Sequence, residues 1–226
     1  MLRFLYFSAT VGNIALFLSI AIFRPKYRKF LVDEDSYMEN LSALLFLTAA
    51  LLFLLLLIVQ LRSLRERRIY LPLLAVSTIG FLDELSYGER IFGYKPITFG
   101  EKYELDAVHD LLQITVGLLN ERPWLAIPLT LVLAALAIWA GLTQRQRIAQ
   151  LPAAIRAYPS YGYFLIACVF VIIAMIIDLQ HRMPPVVWVM EELFEMNAGL
   201  TMVFAALAAV RWPAWQPLAF LKTKTS

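Results

Sequence analysis

The chain of 226 residues is poor in charge, in cysteine and in histidine. Only 16% of its residues are charged and 61% are hydrophobic, whereas a soluble domain averages about 25% charged and 45–50% apolar residues. This composition excludes a soluble globular domain and indicates an integral membrane protein. The basic residues stand in short joints between hydrophobic runs and form no continuous basic groove, so the sequence also excludes nucleic-acid binding.

The scarcity of cysteine and histidine limits the kinds of site that the chain can build. Its single cysteine, Cys168, lies in an apolar run and has no partner for a disulfide or for a paired-cysteine metal motif. We expect it to pack as a small hydrophobic residue. The two histidines, His109 and His181, cannot form a three-histidine zinc site. A metal site in this chain would therefore have to use carboxylates.

Long hydrophobic runs are abundant, and they predict an all-α, polytopic membrane fold. About 20 apolar residues in a helix cross the hydrocarbon core of a bilayer. We expect about six transmembrane helices, at residues 3–23, 41–61, 69–85, 123–142, 163–177 and 186–210. Residues 104–119 have apolar side chains on one helical face and polar ones on the other, which predicts an amphipathic interfacial helix, with a spanning helix as the alternative. No linker or repeat divides the chain, so residues 1–226 are predicted to form one domain.

The basic joints predict the orientation in the membrane, because cytoplasmic loops are enriched in Lys and Arg. Residues 62–68 (RSLRERR), residues 144–147 (QRQR) and the lysines near the C-terminus favour the cytoplasmic side. Both termini are then cytoplasmic. The basic joint after the first span departs from this rule.

The first run is about as long as a full span and no small-residue cleavage site follows it, so we expect it to be retained as a helix.

This topology places the membrane-embedded carboxylates and both histidines on one outer side. Glu39 begins the second span and Glu84 ends the third, whereas Glu192 and Glu195 lie about one turn apart in the last. A carboxylate at mid-membrane costs about 2.5–3.5 kcal/mol on insertion scales and so needs a partner. With His109 on the amphipathic helix, these side chains are predicted to converge in an outward-facing pocket.

One imidazole with several carboxylates suits Zn, Mn or Fe better than copper. The predicted ligands of this divalent metal ion are Glu39, Glu84, His109, Glu192 and Glu195. In an enzyme of this kind, a metal-activated water would attack a lipid or lipid-linked substrate, with Glu84 or Glu192 as the base. Two structural interpretations stay open: acidic residues in the first turn stabilise the helix dipole, and nearby arginines can form ion pairs with them.

Two other functions are compatible with the pattern. The protein could be a non-enzymatic subunit or assembly factor of a larger membrane complex, in which the acidic residues pair with a partner protein. It could instead carry a cation or a proton, with Glu192 and Glu195 as a relay. A carrier would distribute its acidic residues across the depth of the membrane, so their position on one side argues against it. The sequence alone does not decide whether the protein is an enzyme.

Four short motifs carry a resemblance to a known family. They are Glu34-Asp35 with Glu39, DELSYGERIFG at residues 83–93, VHD at 108–110 and EEL at 191–193. The chain resembles a family of uncharacterised bacterial multi-pass membrane proteins with the pattern EDxxxE, EEISWGQRIFG, LHN and EEL. The resemblance covers most of the chain and implies a bacterial inner (plasma) membrane, but it implies no activity. It draws attention to Glu39, Glu84, His109 and Glu192.

The start of the second span also bears a faint similarity to another family. Asp35, Glu39 and Asn40 at the opening of a hydrophobic helix are similar to the acidic motif of the alkaline ceramidases. Those enzymes hold zinc with three histidines and also need a catalytic serine and an aspartate. Because this chain has two histidines, and neither lies in a matching motif, the sequence excludes that family.

Overall fold

The computed structural model describes residues 1–32, 36–59, 64–86, 93, 97–99, 103–105, 158–179 and 184–211, together with isolated positions between 115 and 155. Its helices are α1 (Leu2–Phe23), α2 (Arg28–Val32), α3 (Tyr37–Val59), α4 (Leu64–Asp83), α5 (Pro159–Asp178) and α6 (Pro185–Arg211). A 3-10 turn at Pro25–Tyr27 joins α1 to α2. The predicted all-α architecture is therefore confirmed for this part of the chain, apart from one short hairpin.

Four of these helices, α1, α3, α5 and α6, are long and apolar enough to cross a membrane. They correspond to four of the six predicted spans. The predicted span at 69–85 is also helical, but its apolar part, Tyr70–Asp83, is shorter than the other four. The predicted span at 123–142 lies mostly outside the described residues. The exact number of about six spans therefore stays a prediction.

The hairpin consists of β1 (Ile97–Phe99) and β2 (Tyr103–Leu105), which pair antiparallel with Thr98 opposite Glu104. The prediction that a helix begins at residue 104 is wrong for its first two residues. Aromatic and β-branched residues favour strands, and the sequence between these strands contains a glycine, which favours a turn. Of the predicted amphipathic helix beyond the hairpin, only Thr115 and Gly117 are described, and both are helical.

Helix α6 occupies the centre of the bundle. In the most apolar stretch of 18 residues in α6, 61% of the residues are buried. The corresponding stretches of α3, α5 and α1 have 39%, 22% and 17% of their residues buried. It packs against α5, α3 and α1. Its fully buried residues are mostly small, which allows neighbouring helices to come close without a large cavity or clash; they include Ala198, Ala205, Ala206 and Ala208.

Helices α3 and α6 begin at the same end of the bundle, and α4 ends there. Met38 near the start of α3 packs in one buried cluster with Val189 and Leu193 near the start of α6. Helix α4 runs antiparallel to α3, because Ser42 meets Glu84 at one end of the pair. We call this the acidic end of the bundle, since it holds Glu39, Glu84 and Glu192.

Two glycines allow α4 and α6 to approach α3 closely. A Cβ atom on Gly80 of α4 would lie only 2.8 Å from ring atoms of Phe46. A Cβ atom on Gly199 of α6 would lie 3.1 Å from the Cβ of Leu45 and 3.3 Å from the carbonyl oxygen of Ser42. Larger side chains would separate the helices. The glycines thus allow α4 and α6 to lie close to α3 near the acidic end.

Candidate functional site

Glu84 is the most buried acidic side chain among the described residues at the acidic end. It is 8% exposed, and the hydroxyl of Ser42 donates a hydrogen bond of 2.6 Å to its Oε1 atom. Both partners are buried, so the contact ties the end of α4 to the first turns of α3. A hydrogen bond of this kind to a buried carboxyl group is among the stronger ones in proteins.

The backbone positions Glu84 just beyond the end of α4. The helix ends at Asp83, and the amide of Glu84 donates a 3.2 Å hydrogen bond to the carbonyl oxygen of Gly80. The predicted span at 69–85 placed Glu84 inside the helix, and that boundary is wrong by two residues. The turn that follows leads to Ser86, whose φ of 46° lies outside the right-handed helical region.

Glu39, Glu192 and Asp83 are the other carboxylates that act electrostatically on Glu84. Their positions along the helices agree with this proximity. At 1.5 Å per residue, Glu39 lies about 3 Å from the start of α3, and Glu192 lies about 10 Å from the start of α6. Carboxylates from α3, α4 and α6 therefore all lie in the half of the bundle where α3 and α6 begin.

Glu39 has a structural role that fits its place in the chain. It lies in the first turn of α3, where a negative charge is favoured by the helix dipole. The hydroxyl oxygen of Ser36 accepts a 3.1 Å hydrogen bond from the Glu39 amide, and the Asn40 side-chain amide donates to the Ser36 carbonyl oxygen at 2.8 Å. Ser36 is thus the N-cap of α3. The capping interpretation accounts for Glu39 without any ligand.

The predicted metal-ligand set is only partly described. Glu195 follows Glu192 by three residues on α6 and is half-buried, but the carboxylates acting on Glu84 are those of Glu192, Glu39 and Asp83. His109 lies outside the described residues. Within the described part of the chain, no group of three or more His, Cys, Asp or Glu side chains could hold a metal ion. The metal site stays a prediction.

The cluster nevertheless requires a compensating positive charge or bound protons. Ionised carboxylates repel each other when they are close and removed from water, and burial of each one is costly. A cation, protons or basic side chains can each supply that compensation. Among these, a bound cation would use the carboxylate oxygens as ligands, because such oxygens suit hard divalent metals.

Ser42 was not among the residues that the sequence singled out. It stands in the apolar run LSALLFLTAALLFLLLLIV, where a lone serine is common in a membrane helix and carries no functional signal. The spacing of Ser42 from Glu39 is the one feature of the sequence that connects it with the acidic residues. Ser42 follows Glu39 by three residues, so both lie on the same face of α3.

No protein-family model, no curated protein and no solved structure matches the chain.

Proposed function

We propose that this protein binds a divalent metal ion at the acidic end of its helical bundle and acts there on a lipid or lipid-linked substrate. The observation that carries the proposal is the buried Glu84, which Ser42 holds and which Glu39 and Glu192 approach from two other helices. A membrane protein tolerates such carboxylates where they have a function or a partner. The orientation that we infer from the basic joints makes the acidic end face the outer side of a bacterial inner membrane, with cytoplasmic termini.

The kinds of donor that the sequence proposes suit a hard or borderline cation. Glu39, Glu84 and Glu192 do not by themselves form a group that could hold a metal ion. Glu195 and His109, which lies outside the described residues, are the further ligands that the sequence proposes. Hydrogen bonds to ligating carboxylates orient them and are part of many metal sites. The Ser42 hydroxyl would orient Glu84 in this way, because it donates a hydrogen bond of 2.6 Å to Oε1 of the carboxyl group.

The chemistry would be hydrolytic. A bound divalent metal supplies an activated water at neutral pH. In this chain, Glu84 or Glu192 would act as the general base, because both are carboxylates of the cluster at the acidic end. The cluster lies at the end of the bundle where α3 and α6 begin, so the bonds between the headgroup and the acyl chains of a lipid would be within reach. This position favours a lipid over a soluble substrate.

Elemental analysis of purified protein tests the metal site. We expect a near-stoichiometric divalent metal in the wild type and a reduced metal content in Glu84→Gln and Glu192→Gln. Glu191→Gln is the matched control, since Glu191 is the neighbouring half-buried acid on α6 and was not proposed as a ligand. Metal content that is equal in all four proteins would contradict the ligand set.

A second measurement separates the enzyme from the alternative. Incubation of the metal-loaded protein with mixed bacterial lipids, followed by lipid mass spectrometry, should reveal a hydrolysis product that is lost in Glu192→Gln. A protein without metal and without product, whose acidic variants change only its co-purifying partners, would instead be a non-enzymatic subunit or assembly factor.

A further inference from the structure

A second buried polar site lies between α1 and α6, away from the acidic cluster. The side-chain oxygen of Thr10 on α1 and the Oδ1 atom of Asn197 on α6 are both enclosed, and neither has a hydrogen-bond partner in the described part of the chain. Asn197 is fully buried and Thr10 is 8% exposed. A buried polar atom without a hydrogen bond is costly, so two of them in one helix pair need an explanation.

The register of the two helices brings Thr10 and Asn197 opposite each other. The hydroxyl of Tyr6 on α1 lies 3.0 Å from the hydroxyl oxygen of Thr201 on α6. The later part of α1, with Phe17, packs against the earlier part of α6, so the helices are antiparallel. Thr10 follows Tyr6 by four residues and Asn197 precedes Thr201 by four, and both steps move about 6 Å in the same direction.

The hydroxyl of Thr10 differs from the hydroxyls of three other threonines in the described helices. Thr48, Thr78 and Thr201 each donate to the backbone carbonyl oxygen four residues earlier, at 2.6–2.9 Å. The equivalent bond from Thr10, to the carbonyl oxygen of Tyr6, is not made, although it would satisfy the hydroxyl inside its own helix. The Thr10 hydroxyl is therefore available to a group outside α1.

The other polar atoms of Asn197 are already used. Its Nδ2 atom donates to the carbonyl oxygen of Leu193 at 2.7 Å, and its backbone carbonyl accepts from Thr201 at 2.6 Å. This arrangement fixes the side-chain amide and leaves Oδ1 as an acceptor. A group that satisfies both residues must donate to Oδ1 and exchange a hydrogen bond with the Thr10 hydroxyl. Water is the smallest molecule with both capacities.

We propose that Thr10 and Asn197 form a binding site for a single buried water molecule, which links α1 to the central helix α6. The site is independent of the proposed metal chemistry, because it lies on a different face of α6. It adds a second polar connection to the Tyr6–Thr201 contact, one helical turn nearer to the acidic end.

Solid-state NMR of protein labelled at asparagine, in lipid bilayers, tests the site directly. We expect magnetisation transfer from water to the side-chain amide of Asn197, and we expect this transfer to disappear in Thr10→Val. Asn40 is exposed and provides the positive control for water transfer in both proteins. Absence of transfer at Asn197, with transfer retained at Asn40, would overturn the proposal.

Thermal unfolding of the variants gives an independent test of the link. Thr10→Val and Asn197→Leu should each lower the midpoint by about 2–4 °C, and the double variant should lose little more than the larger single effect. The control is Thr78→Val, because the Thr78 hydroxyl is bonded within its own helix. Its effect should combine additively with that of Asn197→Leu.

Additive effects of Thr10→Val and Asn197→Leu would refute a shared water. Coupled effects without water transfer would mean a direct hydrogen bond and would also refute it. If Asn197→Leu does not fold, the NMR comparison of the wild type with Thr10→Val decides the question.

Discussion

Replacement of Ser42 by alanine removes the side-chain hydrogen bond from α3 to Glu84 and leaves the surrounding apolar packing almost unchanged. The Ser42 hydroxyl donates to Oε1 of Glu84 at 2.6 Å, and both side chains are buried. An intramolecular hydrogen bond contributes about 0.5–1.5 kcal/mol, and a buried carboxyl oxygen that loses its donor incurs a penalty of about 1–3 kcal/mol. We therefore expect Ser42→Ala to lower the free energy of unfolding by about 1–3 kcal/mol.

Ser77→Ala is the matched control for this experiment. Ser77 is fully buried on α4, but its hydroxyl donates to the carbonyl oxygen of Leu73 in its own helix, at 2.9 Å. Loss of such a local bond should change the stability of a helix little. Titration of the purified proteins with SDS in mixed micelles, followed by circular dichroism, measures both effects. A cost for Ser42→Ala no greater than that for Ser77→Ala would refute the role assigned to the Ser42–Glu84 contact.

A comparison of Ser42→Ala in the wild type and in a Glu84→Ala protein provides a further check on this contact. In a Glu84→Ala protein, the Ser42 hydroxyl has no carboxyl group to which it can donate a hydrogen bond. The additional cost of Ser42→Ala should then fall well below its cost in the wild type, because the two residues interact directly. An unchanged cost in that background would assign the effect to packing around Ser42 rather than to the hydrogen bond.

The same SDS titration tests three other contacts. Gly80→Ala should cost about 1–3 kcal/mol, because the new Cβ would lie 2.8 Å from an aromatic ring of α3; Gly12→Ala, whose Cβ meets nothing within 4 Å, should be neutral or slightly stabilising. Tyr6→Phe should cost about 0.5–1.5 kcal/mol, since it keeps the ring but loses the 3.0 Å contact with Thr201; wild-type stability would contradict this. Ser36→Ala should cost about 1 kcal/mol by removing the N-cap of α3, and a cost near zero would argue against the cap.

Hydropathy alone was sufficient to predict the helices α1, α3, α5 and α6. Each is a long apolar run bounded by charged residues or proline, and a chain buried in lipid must satisfy its backbone hydrogen bonds within the helix. The boundaries were less accurate. Helix α3 begins at Tyr37 rather than at residue 41, because the Ser36 cap extends the helix into a polar segment that hydropathy excluded. The hairpin was not predicted, because its two strands are only three residues long and contain no long apolar run.

The candidate site was predictable as a set of acidic residues but not as a set of contacts. Charge placement indicated Glu39, Glu84 and Glu192, since carboxylates in membrane helices are rare and stand out. Ser42 gave no signal, because the partner of a residue on another helix depends on how the helices rotate about their axes. Gly80 and Gly199 both face α3 at close contacts, and a single sequence does not reveal which helix each of them faces.

The central position of α6 has a consequence for the biosynthesis of this protein. The helix that all the other described spans surround is also the last of them to leave the ribosome. Until it enters the membrane, α1 and α5 both lack their main packing surface. Entry of α6 is itself hindered by Glu191, Glu192 and Glu195, which lower the apolar character of its first half. Its insertion and the assembly of its neighbours should therefore be a single coupled event, so that a nascent chain arrested before residue 185 should be recognised by membrane proteases as unassembled.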